Sequence, residues 1–204
     1  MIEQKWGQTP TASEEKPKNI EIVKDPAFVE VVAVNRFYFY SEIGRAEVLQ
    51  LNRRLFEASN QLLIDAAAQE RPPAEIYLHI NSYGGSIFAG LAAMDAILHS
   101  KIPVVTIIDG CCASAATFLS VAGKRRIIRP NAYMLIHQLW SVSWGKFREL
   151  EDDHKNNNKL MDKIREIYAK YTKIPAEKIN EILDHDLWFD AKTCLDYGLV
   201  DEII

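Results

Sequence analysis

Short runs rich in β-branched residues alternate with segments of helical period through the middle of this chain, and that alternation leaves few folds open. Residues 75–80 read as a strand, followed by the turn Asn81-Ser-Tyr-Gly-Gly-Ser86 and a helix over about 87–100. Residues 104–108 form the next strand, leading through Gly110-Cys-Cys-Ala-Ser114-Ala-Ala-Thr117 into a small apolar helix over 118–122. After a turn at 123–126, the pair Ile127-Ile128 and the strand 132–136 follow, the latter ending on His137. Strand–helix–strand–helix–strand–strand predicts an α/β domain with parallel pairing. Such a sheet presents functional groups at the carboxyl ends of its strands.

The flanking segments extend this pattern. Residues 28–34 and 36–41 read as strands. Val48, Leu51, Leu55, Leu62, Leu63 and Ala66 recur at helical spacing over 45–69, and Arg71-Pro-Pro73 ends that helix. From 146 to 171 charges dominate, with Phe147, Leu150, Met161, Ile164, Tyr168 and Tyr171 on one seam shared by His154 and Asn157. One long helix with a polar midsection is expected, its apolar ends calling for a partner. Pro175 opens a short helix to about 183, and Asp190 caps another that stops at Gly198. A final strand over 199–204 completes a domain expected over 28–204. Residues 1–27 are polar, without period, and predict a mobile N-terminal arm.

Composition narrows the function. The 204 residues suit one sizeable domain, and the net charge of −4 offers nothing to a nucleic acid. No apolar run is long enough for a membrane span, and the opening residues hold no apolar stretch, so no secretory signal is expected. Three cysteines, an odd count, fit reduced thiols and a cytoplasmic setting. No H-E-x-x-H, C-x-x-C or complete G-x-G-x-x-G is present, so no metal or dinucleotide is expected.

Ser114 is the candidate nucleophile. Alanines at 113, 115 and 116 leave room beside it, and the N–H groups at a helix start can receive a developing oxyanion. On this segment alone, an ordinary N-cap is the commoner role for such a serine. A nucleophilic serine needs a base, and the base an orienting carboxylate. His137, at a strand end, is the best base among five histidines; His79 and His99 suit packing or surface roles, His154 sits among charges on the long helix, and His185 adjoins Asp186 in a loop before an aromatic pair. Asp95, Asp109 and Asp186 all remain candidate acids.

Taken together, these residues resemble the proteolytic subunit of the Clp protease family, ClpP, a self-compartmentalising serine peptidase. Ile80-Asn-Ser-Tyr-Gly-Gly-Ser86 is similar to its Gly-Gly turn, Gly110–Leu119 to its nucleophile segment, Met134-Leu-Ile-His-Gln138 to its histidine segment, and 186–201 to its acid and last strand. The resemblance implies Ser114 as nucleophile, His137 as base and Asp186 as the orienting acid, with Gly85 and Ala115 N–H groups as the oxyanion hole. It implies a ClpP/crotonase-like spiral of ββα units with 146–171 as a projecting handle helix. It further implies a homo-oligomer of stacked heptameric rings, polypeptide substrates, no cofactor, and ATP used only by an AAA+ Clp unfoldase as partner. Tyr83 stands where the family carries proline and could fill a substrate pocket. Ala115-Ala116 replace Met-Gly, Leu139-Trp140 replace the proline after His-Gln, and 141–145 keep a single glycine. Three rivals stand beside this reading: a non-catalytic ring subunit, an acyl-CoA-handling crotonase relative, and a Ser–Lys peptidase.

Overall fold

A computed structural model of the chain describes residues 29–204. The expected arm, and Phe28 with it, lie outside the described residues. Seven strands form one sheet in the order β1-β2-β3-β4-β5-β7, with β6 paired to β4 off that path. β1 (Val29–Ala33) and β2 (Arg36–Phe39) make an antiparallel hairpin at the edge. Every other pairing is parallel: β2 with β3 (Ile76–Ser82), β3 with β4 (Val104–Ala113), β4 with β5 (Arg125–Ile128) and β6 (Tyr133–Leu135), and β5 with β7 (Glu202–Ile203). The parallel α/β sheet expected from the alternation is therefore present.

The core follows from residue type. Strands covered on both faces read as unbroken apolar runs, and Val104, Val105, Thr106, Ile107 and Ile108 of β4 are all buried. Helix α1 (Arg45–Ala68) turns Val48, Leu51, Leu55, Leu62 and Ala66 inward. Each large aliphatic side chain so placed contributes roughly 1.5–3 kcal/mol. Leu63, counted on that stripe in the sequence, is instead exposed, because the buried stripe is narrower than the apolar pattern. Ser86 caps α2 (Ile87–Leu98).

β4 departs most from expectation and matters most for the site. Its strand does not end at Ile108 but runs to Ala113, through residues expected to turn. Gly110, at φ +79°, lets the strand bend. Residues 105–108 pair with β5, whereas Cys111, Cys112 and Ala113 pair with Tyr133, Met134 and Leu135 of β6. This change of neighbour brings the ends of β4 and β6 side by side. The last strand is shorter than expected, only Glu202–Ile203, and Leu199 and Val200 ahead of it are buried in the core.

After the short α3 (Ala116–Val121), the long helix α4 (Phe147–Tyr171) appears where expected. Only Ile164, Ile167 and Tyr168 of α4 are buried, all toward its C-terminus. Phe147 and Leu150 are exposed. Asn157 bonds to Ser141 Oγ at 2.8 Å and His154 to Asn158 at 3.2 Å, so the polar midsection is solvated rather than packed. Helices α5 (Ala176–Leu183) and α6 (Ala191–Asp196) follow, α6 capped by Asp190 through Thr193 N–H at 2.8 Å.

Candidate active site

Ser114 is the first residue after β4, and its φ is +55°. That left-handed turn reverses the chain between strand and helix and lifts the hydroxyl off the end of the sheet. Ser114 N–H is held by Leu135 O at 2.8 Å. The capping alternative fails: Ala115 is the N-cap of α3, and no side chain caps that helix. The Ser114 hydroxyl points elsewhere, with Oγ 2.8 Å from His137 Nε2. His137 Nδ1 in turn lies 2.9 Å from Asp186 Oδ1. The carboxylate accepts from Nδ1–H, which leaves Nε2 free to accept the serine proton.

Two backbone clamps make this convergence. Phe189 and Met134 exchange N–H···O bonds of 2.7 and 2.9 Å, pinning the loop that carries Asp186 against β6. Gln138 N–H donates to Leu183 O at 2.8 Å, fixing the chain just after His137. The imidazole is three-quarters buried, whereas the Asp186 side chain is 77% exposed.

The Gly-Gly turn completes the site. Ile43 N–H donates to Gly84 O and Ser86 N–H to Ile43 O, both at 2.8 Å, which straps the turn to the segment before α1. Among the described residues, neither Gly85 N–H nor Ala115 N–H donates in any turn or loop bond, so both stay free for a ligand oxygen. A Cβ on Gly85 would meet Ile43 O at 2.6 Å. The glycine is thus required by its own backbone neighbour rather than by an approaching carbonyl. A Cβ on Gly84 would lie 2.6 Å from Ser114 Cβ, so Gly84 is what admits the turn to the nucleophile. A cavity of about 560 Å³ opens beside the serine, with Ile87, Phe118, Leu139, Ile164 and Tyr168 supplying apolar walls. Tyr83 does not fill it. Its ring stands edge-on to Trp188, 6.3 Å between centroids, in a separate open hollow with Cys111 and Tyr133.

The other candidates lie elsewhere. His79 is buried with Nδ1 2.6 Å from Asp109 Oδ2 and Nε2 2.8 Å from Arg36 Nη1. A guanidinium only donates, so Nε2 accepts and Nδ1–H faces the carboxylate. Arg36 occupies Nε2 of this second His–Asp pair, and the nearby Tyr40 hydroxyl donates to Asp109 at 2.9 Å, so no ring nitrogen is left to activate it. Burial raises the Asp109 carboxyl, but hydrogen bonds from His79, Tyr40 and Arg129 outweigh it and hold the group below the usual carboxylate value. His99 Nδ1 meets Asp95 O, 2.8 Å away on the surface of α2. Burial pushes all three thiols up, Cys194 to about 12, so none competes as a thiolate. Among the described residues no group of three or more His, Cys, Asp or Glu is placed to hold a metal, and no helix is long and apolar enough to cross a membrane. Tyr168 stood on the helix seam and Thr117 in the nucleophile segment, but nothing in the sequence signalled that their hydroxyls meet beneath the serine.

With this geometry in hand, comparison with known proteins is specific. The family model described as Clp protease matches residues 38–204. The chain is 36% identical over 145 residues to an ATP-dependent Clp protease proteolytic subunit of Deinococcus radiodurans, a match covering 70% of each chain. It is similar in structure to a ClpP1 mutant from Listeria monocytogenes, with a TM-score of 0.72 and 26% identity over 84% of this chain and 91% of the other.

Proposed function

This chain belongs to the Clp protease family of serine endopeptidases, and from that premise we propose that Ser114, His137 and Asp186 are its catalytic triad. The observation that carries the assignment is the unbroken line of contacts, Ser114 Oγ to His137 Nε2 at 2.8 Å and His137 Nδ1 to Asp186 at 2.9 Å. His137 Nε2 takes the hydroxyl proton as Oγ bonds to the scissile carbonyl carbon. The carbonyl oxygen becomes an oxyanion held by Gly85 and Ala115 N–H groups. Imidazolium then returns the proton to the departing amine, the C–N bond breaks, and an ester to Ser114 remains. Water, deprotonated by the same imidazole, cleaves that ester. Asp186 keeps the imidazole in the required tautomer throughout. No step calls for a cofactor.

The apolar cavity beside Ser114 suits a large apolar side chain on the acyl side of the bond. The substrates are unfolded polypeptides or short peptides, and the working form is a homo-oligomer of stacked heptameric rings in the cytoplasm. ATP enters only through an AAA+ Clp unfoldase as partner. Exposed Trp140, Val142, Trp144 and Phe147 at the start of the handle, and Leu49, Phe56 and Ile64 on α1, support contact surfaces of that kind. A contiguous, connected triad weighs against a non-catalytic subunit. It weighs also against an acyl-CoA crotonase, which has no need of a nucleophile. Among the described residues no lysine is bonded to Ser114, which weighs against a Ser–Lys peptidase.

A fluorophosphonate probe tests the assignment directly. It is expected to label the wild-type protein at Ser114, with labelling and peptide cleavage lost in Ser114→Ala. Peptidase activity retained in Ser114→Ala overturns the triad.

A further inference from the structure

Two buried hydroxyl side chains sit beneath the nucleophile and take no part in the triad. Thr117 and Tyr168 are fully enclosed, so each hydroxyl must find a partner inside the protein. Tyr168 Oη lies 2.7 Å from Thr117 Oγ1, and Thr117 Oγ1 lies 2.6 Å from the Ser114 carbonyl oxygen. A carbonyl oxygen can only accept. Thr117 Oγ1–H therefore donates to Ser114 O, and Tyr168 Oη–H donates to Thr117. Donation runs one way, from α4 to the nucleophile turn. Burial pushes the Tyr168 phenol well above its usual value, so it stays protonated and able to donate. Thr117 N–H adds a second bond to the same oxygen at 3.0 Å.

The consequence lies in the next peptide. The Ser114–Ala115 unit is planar and trans, with its C=O and N–H pointing in opposite directions. Whatever holds the Ser114 oxygen also sets the direction of Ala115 N–H. That N–H follows a residue at φ +55°, a conformation that persists only where its surroundings hold it. We infer that Tyr168 and Thr117 are positioning residues for the hydrolysis: their hydroxyl relay anchors the Ser114 carbonyl and thereby aims the Ala115 N–H at the oxyanion. This rests on the assignment of Ser114 as nucleophile and Ala115 as oxyanion donor. The phenol supplying the relay belongs to the buried end of the handle helix, so the aim of the oxyanion hole depends on how α4 is seated.

Thr117→Val keeps the shape of the side chain and removes the hydroxyl; Thr117→Ser keeps the hydroxyl; Tyr168→Phe removes the first donor. The relay predicts that Thr117→Val and Tyr168→Phe lower kcat by about tenfold with little change in KM, since an oxyanion contact acts in the transition state. The affinity of a peptide boronate, which forms a tetrahedral adduct on the serine, should fall by a similar factor. Thr117→Ser should restore both. The double variant Thr117→Val/Tyr168→Phe leaves no orphan hydroxyl and should lose no more than the larger single loss, because the two act in series. Wild-type kcat and boronate affinity in the double variant, with only a lower thermal midpoint, overturn the relay. Ser114→Ala assayed alongside separates the two levels: an active Ser114→Ala removes the triad itself, whereas an inert Ser114→Ala beside a fully active Thr117→Val removes the relay alone.

Discussion

A single methyl group decides much at this site. Gly84 sits at φ +99° with its missing Cβ 2.6 Å from that of Ser114, so Gly84→Ala must push the turn off the nucleophile. Gly85→Ala meets Ile43 O instead and displaces an oxyanion donor. Loss of one such donor lowers turnover by roughly 10²–10³. Both variants are expected to fall in kcat by at least the lower figure, read in a quenched-peptide assay, with the fold intact by circular dichroism. Asp186→Ala tests the outer member of the triad. It should lower kcat by about 10⁴-fold, less than Ser114→Ala does, because hydroxyl and imidazole still meet without it. Equal activity in Asp186→Ala and wild type would show that the imidazole is oriented by its backbone clamps alone.

At the scale of elements, one arginine ties three of them. Arg126, on β5, donates from Nη1 to Gly198 O at 2.9 Å, from Nε to Asp201 at 3.0 Å, and also bonds Tyr171 O at the end of α4. The body end of the handle helix, the turn after α6 and the approach to β7 are thus held to β5. Arg126→Met leaves the Tyr171 and Gly198 carbonyls without their donor, while Asp201 keeps the backbone N–H of residue 126, at a cost of about 2–3 kcal/mol. That corresponds to a thermal midpoint lower by about 4–12 °C in scanning calorimetry. The Arg126 hydrogen bond is also the chief reason that Asp201 is held below its usual carboxyl value. A depressed carboxyl contributes stability that is complete above the unfolded value, about pH 4, and is lost as pH falls through the lower, folded one. Urea midpoints measured downward from pH 5 should therefore decline less steeply in Asp201→Asn than in wild type. An unchanged slope would mean the pair contributes nothing to acid stability.

For the whole molecule, the informative surface is the segment leading into α4. Trp144 is 96% exposed, and Trp140, Val142 and Phe147 beside it are open to solvent as well. Apolar side chains gathered on one exposed segment mark a contact surface, and the proposed assembly would bury them. Sedimentation velocity of the wild-type protein is expected to give a mass many times that of one chain. Trp144→Asp combined with Phe147→Asp should shift it to smaller species while leaving the far-ultraviolet spectrum unchanged, since neither side chain packs in the core. A monomer in the wild type would remove the ring assembly from the proposal.

The order of strands and helices, their parallel pairing and the long charged helix were all legible in the amino-acid sequence, because periodicity and turn chemistry are local properties of residue type. Ser114 and His137 stood out for the same reason, the first at a helix start after a strand and turn, the second at the end of a strand. The residues alone could not rank Asp186 above Asp95 and Asp109; only the family likeness singled it out. Which acid meets which histidine depends on the Met134–Phe189 bridge and on β4 leaving β5 for β6. Asp109 is in fact spent on the other buried histidine. The contact between Thr117 and Tyr168 was invisible for an equally physical reason. Their hydroxyls are 51 positions apart in the chain, and no local pattern records that packing α4 against α3 leaves them 2.7 Å from each other. Local chemistry determines which elements form; long-range packing decides which side chains those elements bring together.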